Sequence, residues 1–220
     1  MVGCGSGGHI EDPVEWNAAL RRTAQGHRPA VRLGPEYERS ALVLGDDRAR
    51  NAAIVLANWD HTTEAPSRGG VLFLTWAQLW LNRPGAFVTP WDSNSPLDRP
   101  RGIADPRRAA ELLSLAASEL EKHGKVDMPW GDANRFVDGA VNFPGNGGAD
   151  PLGVFRAAVF GPDSAMPRVA GGGESFVALV EFSTPLRVKV MLAPGNSTQP
   201  GSPHTSDQLQ FLAEKKLRTP

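Results

Sequence analysis

Pro194-Gly195-Asn196-Ser197-Thr198-Gln199-Pro200-Gly201-Ser202-Pro203-His204-Thr205-Ser206-Asp207-Gln208 is the stretch on which the reading of this chain turns. Proline fixes φ, glycine opens positive φ, and Asn, Ser and Asp bond their own backbone, so the segment predicts an ordered loop. Its histidine and aspartate make it a candidate for chemistry as well as for shape. Just upstream, residues 176–182 have a strong strand pattern, Ser183-Thr184-Pro185 can turn the chain, and residues 186–192 form a second strand. There Leu186, Val188, Val190 and Leu192 alternate with Arg187 and Lys189, which predicts one buried and one wet face. Downstream, residues 208–216 predict a short helix with Leu209, Phe211 and Leu212 apolar.

Further toward the N-terminus, the character is β back to Pro129, with a strand candidate at residues 154–160 and a turn at residues 171–174. Before Pro129 the pattern is helical. Asp105-Pro106 is a cap followed by a first-turn proline, and Leu112, Leu113, Ala116, Ala117 and Leu120 stripe the helix that ends at His123-Gly124. Residues 89–101 hold several prolines and read as a loop. Residues 70–82 are apolar almost all round, so that helix belongs inside a larger body or under thick cover. Asp46 or Asp47 can cap a helix over residues 48–59, whose Ala52, Val55, Leu56 and Trp59 share a face, and a polar loop spans residues 61–68. Asp12-Pro13 predicts a helix to about Ala24, followed by an extended connector at residues 26–38. Helices first and antiparallel strands after make an α+β fold.

Composition bounds the function. The 220 residues carry a net charge of -1, 40% of them are hydrophobic, and no block of like charge occurs. Nucleic acid and anionic membrane are therefore not expected partners. No apolar run reaches the roughly 18 residues a spanning helix needs. Cys4 is the single cysteine, so no intrachain disulfide can form. The first residues have neither a basic nor an apolar region, so a signal peptide is not expected there. Gly3-Cys4-Gly5-Ser6-Gly7-Gly8 fits G-x-G-x-x-G, but only two residues precede it. A phosphate site needs a strand before the glycines, so a flexible arm is expected.

Gly195-Asn196-Ser197, Gln199-Pro200, Ser202-Pro203-His204 and Asp207-Gln208 together resemble the C-terminal signature of the penicillin acylase family. Four further segments follow the family's order: Leu56-Ala57-Asn58-Trp59-Asp60, Ser67-Arg68-Gly69-Gly70-Val71-Leu72-Phe73, Trp130-Gly131-Asp132 and Gly173-Glu174-Ser175-Phe176-Val177. The resemblance covers residues 48–220. It divides the chain into a divergent arm at residues 1–44 and a C-terminal segment of an acylase β-subunit at residues 45–220. It implies the last portion of the αββα sandwich of N-terminal nucleophile hydrolases. It also implies hydrolysis of the amide in N-acylated β-lactams, homoserine lactones or lipopeptides. The family's nucleophile is a chain-terminal Ser, Thr or Cys whose α-amine acts as base. That nucleophile and the oxyanion asparagine are expected upstream of residue 48. The implied partner is the remainder of the acylase, and the export signal is expected with it, so compartment stays open. Members can bind a structural calcium ion, whose ligands do not map onto this pattern, and no cofactor is expected here. Thr205 departs from the family's tyrosine after the signature histidine.

Each candidate for chemistry has a structural counterpart. Ser202, His204 and Asp207 offer hydroxyl, imidazole and carboxylate, but a triad needs them in one line, which neighbours on a tight loop rarely achieve. Capping and loop bonding is the expected role. Asp60, His61 and Glu64 lack the ligand number and spacing of a zinc site, and a capped helix end is expected. Trp130 with Asp132 suits either an acyl pocket wall or a packed indole. Cys4 would need three residues removed to become terminal, and would then head a glycine run rather than a strand, and Ser6 lies inside that run. No catalytic residue is expected within the chain. Three readings follow: an acylase segment inactive alone, a non-catalytic interaction module retaining the acylase tail, and a self-contained hydrolase using Ser202, His204 and Asp207.

Overall fold

The computed structural model describes residues 46–95, 98–149, 156–161 and 165–219. The glycine run at 3–8 with Cys4 and Ser6, the helix expected from Asp12, the connector at 26–38 and the start of the 154–160 strand lie outside them. The described residues fall into two compact units that divide after Glu174.

The described part of the first unit opens with three helices. Helix α1, Asp47–Ala57, starts where the Asp46 carboxylate accepts from the Arg48 amide at 2.9 Å. Helix α2, Gly70–Leu81, follows the polar loop. Helix α3, Pro106–Glu121, starts where Asp105 accepts from the Arg108 amide at 2.9 Å. Gly124 ends it at φ +129°, its amide bonded to the Glu121 carbonyl. The all-apolar α2 is covered within this unit: Val71, Leu72, Phe73, Trp76 and Trp80 are buried in one core with Ala52 and Leu56 of α1 and Ala109, Leu113, Ala116 and Ala117 of α3. Trp59, Phe73, Trp76 and Trp80 form a chain of rings 5.1–6.0 Å apart. The Trp76 indole donates to the Ala109 carbonyl at 2.9 Å, which fixes α2 against α3.

The stretch expected to be a loop at residues 89–101 has paired ends. Strand β1, Phe87–Thr89, runs antiparallel to β2, Arg101–Ile103, with Phe87 opposite Ile103. Between them the described residues form the expected loop, so only its end residues Thr89 and Arg101 are taken into strands. Asp92 closes that loop by accepting from Arg99 at 3.0 Å.

After a one-turn helix α4, Trp130–Ala133, the unit continues as a four-stranded sheet in the order β4-β3-β6-β5. Its strands are β3 Asn134–Asp138, β4 Val141–Pro144, β5 Ala158–Gly161 and β6 Arg168–Gly173. Two of the three neighbouring pairs are antiparallel, and β3 and β6 pair in parallel at Asn134 and Arg168. The turn expected at residues 171–174 is overturned. Gly171, Gly172 and Gly173 continue β6, with Gly172 opposite Val159 and Gly173 opposite Ala158. The Gly173 amide group sits at φ +135°, where a Cβ would stand 2.5 Å from the Ala157 carbonyl oxygen. The glycine run thus permits a close strand approach rather than a reversal.

The described residues of the second unit are a hairpin, a loop and a helix. Strand β7, Phe176–Glu181, pairs with β8, Arg187–Leu192, in the register Phe176 to Leu192 through Glu181 to Arg187. Helix α5, Leu209–Glu214, buries Leu209 and Leu212. The alternation expected for residues 186–192 is present, but its burial is reversed. Met191 is buried, whereas Leu186 and Leu192 are 57% and 36% exposed. Phe176, Ala178 and Val180 lie opposite Leu192, Val190 and Val188, so the apolar face is the open one. The face with Val177, Leu179 and Met191 is the covered one.

Candidate functional site

Three of the segments that carry the resemblance converge on one junction. The Trp59 indole donates to the Thr62 carbonyl at 2.9 Å and to Ser67 Oγ at 3.1 Å. Ser67 Oγ donates in turn to Asp60 Oδ1 at 2.6 Å, which also accepts from the Thr62 amide and hydroxyl at 3.0 Å. Burial raises the Asp60 pKa, but the Ser67 hydroxyl and the two Thr62 donors outweigh it, and the net shift is downward. Asp60 is therefore an ionised acceptor that ties its own loop. His61 sits at φ +56° with its ring 5.1 Å from the Trp59 indole. Among the described residues, no three His, Cys, Asp or Glu side chains come together as a metal site requires.

The glycines of this junction are needed for close approach. Gly69, at φ +101°, starts α2 where a Cβ would stand 2.6 Å from Trp59 Cβ. A Cβ on Gly70 would stand 3.1 Å from the Trp130 ring. Ser67 and Ala65 carbonyls accept from the Trp130 and Gly131 amides, both at 2.8 Å. Gly131 leaves no room for a side chain between Ala65 and Pro144. Trp130 itself is fully buried and meets Phe160 edge-on at 6.3 Å. Of the pair expected either to line an acyl pocket or to pack, the indole packs. Asp132 lies on the wall of an open cavity of about 410 Å³, together with Arg68, His123, Lys125, Met128 and Met166. Arg68 is held there by the Asp127 carbonyl and carboxylate at 2.8 and 3.2 Å.

Sequence reasoning missed a second polar cluster. Arg156 donates to buried Asn146 at 2.9 Å and lies 3.6 Å from Glu174. Burial lowers the Arg156 pKa against the raising effect of Glu174 and then Glu64. Burial raises the Glu174 pKa, and Arg156 opposes it. Glu174, in the Gly-Glu-Ser-Phe segment, is the available signal, since an acid beside an apolar strand invites a basic partner. The sequence does not say which of its many arginines supplies it.

The signature loop of the second unit is bonded to itself. The Ser197 amide donates to the His204 carbonyl at 3.2 Å, and the Gln208 amide to the Pro194 carbonyl at 2.9 Å. Gln208, buried, accepts from the Leu192 amide at 2.9 Å and so ties the end of β8 to the start of α5. His204 Nδ1 and Asp207 Oδ2 are 2.9 Å apart on the surface. Ser202 Oγ accepts from the His204 backbone amide at 3.2 Å. That bond is a local turn, not the hydroxyl-to-imidazole line of nucleophilic catalysis. The expected helix capping by His204 and Asp207 is corrected: no side chain caps α5, the two side chains bond each other instead, and only Gln208 reaches backbone, at Leu192.

The family model described as Penicillin amidase matches residues 17–220. Relatives named acyl-homoserine lactone acylase PvdQ align along most of the chain. The one from Pseudomonas syringae pv. syringae is 28% identical over 189 residues, which is 80% of this chain and 24% of the relative. The one from Pseudomonas savastanoi pv. phaseolicola is 29% identical over 191 residues, again 80% and 24%. The one from Pseudomonas putida is 26% identical over 170 residues, 74% and 22%. The chain spans about a quarter of the length of these curated relatives. With a match that runs through every segment of the resemblance, the chain belongs to the penicillin amidase family.

Proposed function

We propose that this chain is the C-terminal part of the catalytic subunit of an acylase that hydrolyses N-acylated compounds of the acyl-homoserine lactone type. Water is added across the acyl carbon–nitrogen bond, releasing a carboxylic acid and a free amine. The attacking group is a chain-terminal serine on polypeptide preceding residues 45–220, with its own α-amine as base. The residues described here brace that machinery. The observation that carries this reading is that Ser202 Oγ meets the His204 backbone amide and makes no bond to the His204 ring, which pairs with Asp207 instead. Family membership and the acylase names of the relatives support the reaction class. Action on acyl-homoserine lactones would make the whole enzyme a quencher of quorum signals, whereas action on β-lactams would tie it to antibiotic metabolism.

The test is to assay release of homoserine lactone by the 220-residue chain alone, and by the chain co-expressed with the preceding acylase polypeptide. The chain alone is expected to be inert. The assembled enzyme is expected to turn over, to keep its rate in Ser202→Ala and His204→Ala, and to lose it when the terminal serine is replaced. Turnover by the chain alone that disappears in His204→Ala would overturn the proposal in favour of a self-contained hydrolase. Association without any turnover would favour the interaction module.

A further inference from the structure

The β7–β8 hairpin is turned inside out for a protein in water. Cross-strand pairs on its open face are apolar throughout, yet Phe176 is 59% exposed, Phe182 92% and Leu186 57%. Val180 and Leu192 are also open, at 39% and 36%. The opposite face carries the charged residues Glu181, Arg187 and Lys189 and is, except at Arg187, the more covered of the two. A sheet normally buries its apolar face and wets its charged one, and a contiguous open apolar patch marks an interaction surface. A two-stranded ribbon is also marginal by itself and gains stability from a layer packed on it. The hairpin lies inside residues 17–220, which the family model matches, and the chain covers only about a quarter of the length of its relatives.

We infer that this apolar face is the docking surface for the remaining polypeptide of the acylase, which presents an apolar layer to it. The inference rests on the acylase reading above and names the surface through which the parts join. Phe182 is the anchor, because a large, almost fully open aromatic at a hairpin tip can fill a pocket and gain most from desolvation. The hydrophobic term favours an uncharged counter-surface: Glu181 and Arg187, 3.9 Å apart, answer each other on the other face.

The test co-expresses the full 220-residue chain with the Pseudomonas syringae acylase polypeptide truncated ahead of the region it matches. Wild type is expected to co-purify with it. Phe182→Glu with Leu186→Glu is expected to lower co-purification at least tenfold, while circular dichroism and amide exchange of α1–α3 stay as in wild type. Phe182→Leu, which keeps the face apolar, is expected to bind as wild type does. Failure of wild type to co-purify overturns the inference. So does a double variant that binds normally. A wild-type dimer that the double variant makes monomeric, without binding the acylase polypeptide, would assign the face to a second copy instead. Newly protease-sensitive residues 1–45 in the double variant would assign it to the chain's own N-terminal segment. Wild-type turnover with an unimpaired double variant overturns the surface and leaves the acylase reading standing. Hairpin-dependent co-purification without turnover does the reverse.

Discussion

Replacing Gly195 by alanine tests whether the signature loop is a structural knot. A Cβ there would stand 2.1 Å from the His204 carbonyl oxygen and 2.8 Å from that of Thr205, whereas ordinary contact begins at 3.4 Å. Both obstacles are backbone, so no side chain can swing aside. The loop must open by more than an ångström at the atom that accepts from the Ser197 amide, and the neighbouring bond from Gln208 to Pro194 is strained with it. Two backbone hydrogen bonds are worth about 0.5–1.5 kcal/mol each, and forcing atoms into a packed site costs about 1–3 kcal/mol. The local loss is then about 2–6 kcal/mol. Amide hydrogen exchange reads it directly. At about 1.4 kcal/mol per decade, protection at Ser197 and Gln208 should fall roughly 30-fold or more. Amides of α2 and α3 should not change. Two other glycines calibrate the result. Gly201 sits at φ +81° with open space around its Cβ position, so Gly201→Ala should cost only the left-handed strain, about 1–2 kcal/mol. Gly171 has neither positive φ nor a neighbour within 4 Å, so Gly171→Ala should stay within about 0.5 kcal/mol of wild type. Wild-type protection in Gly195→Ala would refute the reasoning.

Asp60→Ala should destabilise the first unit by about 1–3 kcal/mol in denaturant titration, because it strips the acceptor from the Ser67 hydroxyl and the Thr62 amide. The folded Asp60 pKa is depressed, so its contribution is present above the unfolded value and is lost as pH falls through the folded one; the gap between wild type and variant should close in acid below about pH 3.9. Glu174 should titrate above an ordinary glutamate by NMR, since burial dominates there, and should move higher still in Arg156→Met as the opposing cation is lost; an unchanged or lower value would contradict the pairing. Leu113→Ala, at a fully buried position between helices, should cost about 2–5 kcal/mol, with an unshifted unfolding midpoint counting against the core as described.

The helices were legible because their signals are local. Asp46 and Asp105 cap where a short acceptor precedes the first turn, and the stripe of α3 from Leu112 to Leu120 is the buried stripe. The all-apolar α2 correctly demanded cover, but sequence could not say that α1 and α3 of the same unit provide much of it. Strands β3 and β4 escaped notice because they are short, β3 is mostly polar, and their partners are set by register, not by pattern. The glycine run of β6 misled for a related reason: glycine signals a turn and a close approach equally well, and only the neighbour, here Ala157, decides. At the candidate sites, the turn formers predicted an ordered loop, but the expected capping by His204 and Asp207 gave way to a bond between the two, and the direction of Ser202 Oγ depends on one backbone amide that no spacing rule reveals.

The segments that carry the family resemblance share a physical character that bears on what the chain does. Trp59, Ser67, Gly69, Gly70, Trp130 and Gly131 interlock through buried rings, main-chain bonds and glycines that no larger residue can replace without displacing a neighbour. Gly195, Ser197 and Gln208 do the same at the other end of the chain. Both sets are demanding because their glycines leave no space for a side chain, against buried rings and Cβ atoms in the first set and against loop carbonyls in the second. A scaffold packed that closely suits an enzyme whose reacting groups must hold their places. The hairpin between these junctions has the opposite character, with its apolar residues facing outward and unsatisfied by their own unit. Close-packed junctions in each unit and an apolar face that its own unit leaves open are the two features on which the docking proposal stands, and the Phe182 variants separate that proposal from a module complete in itself.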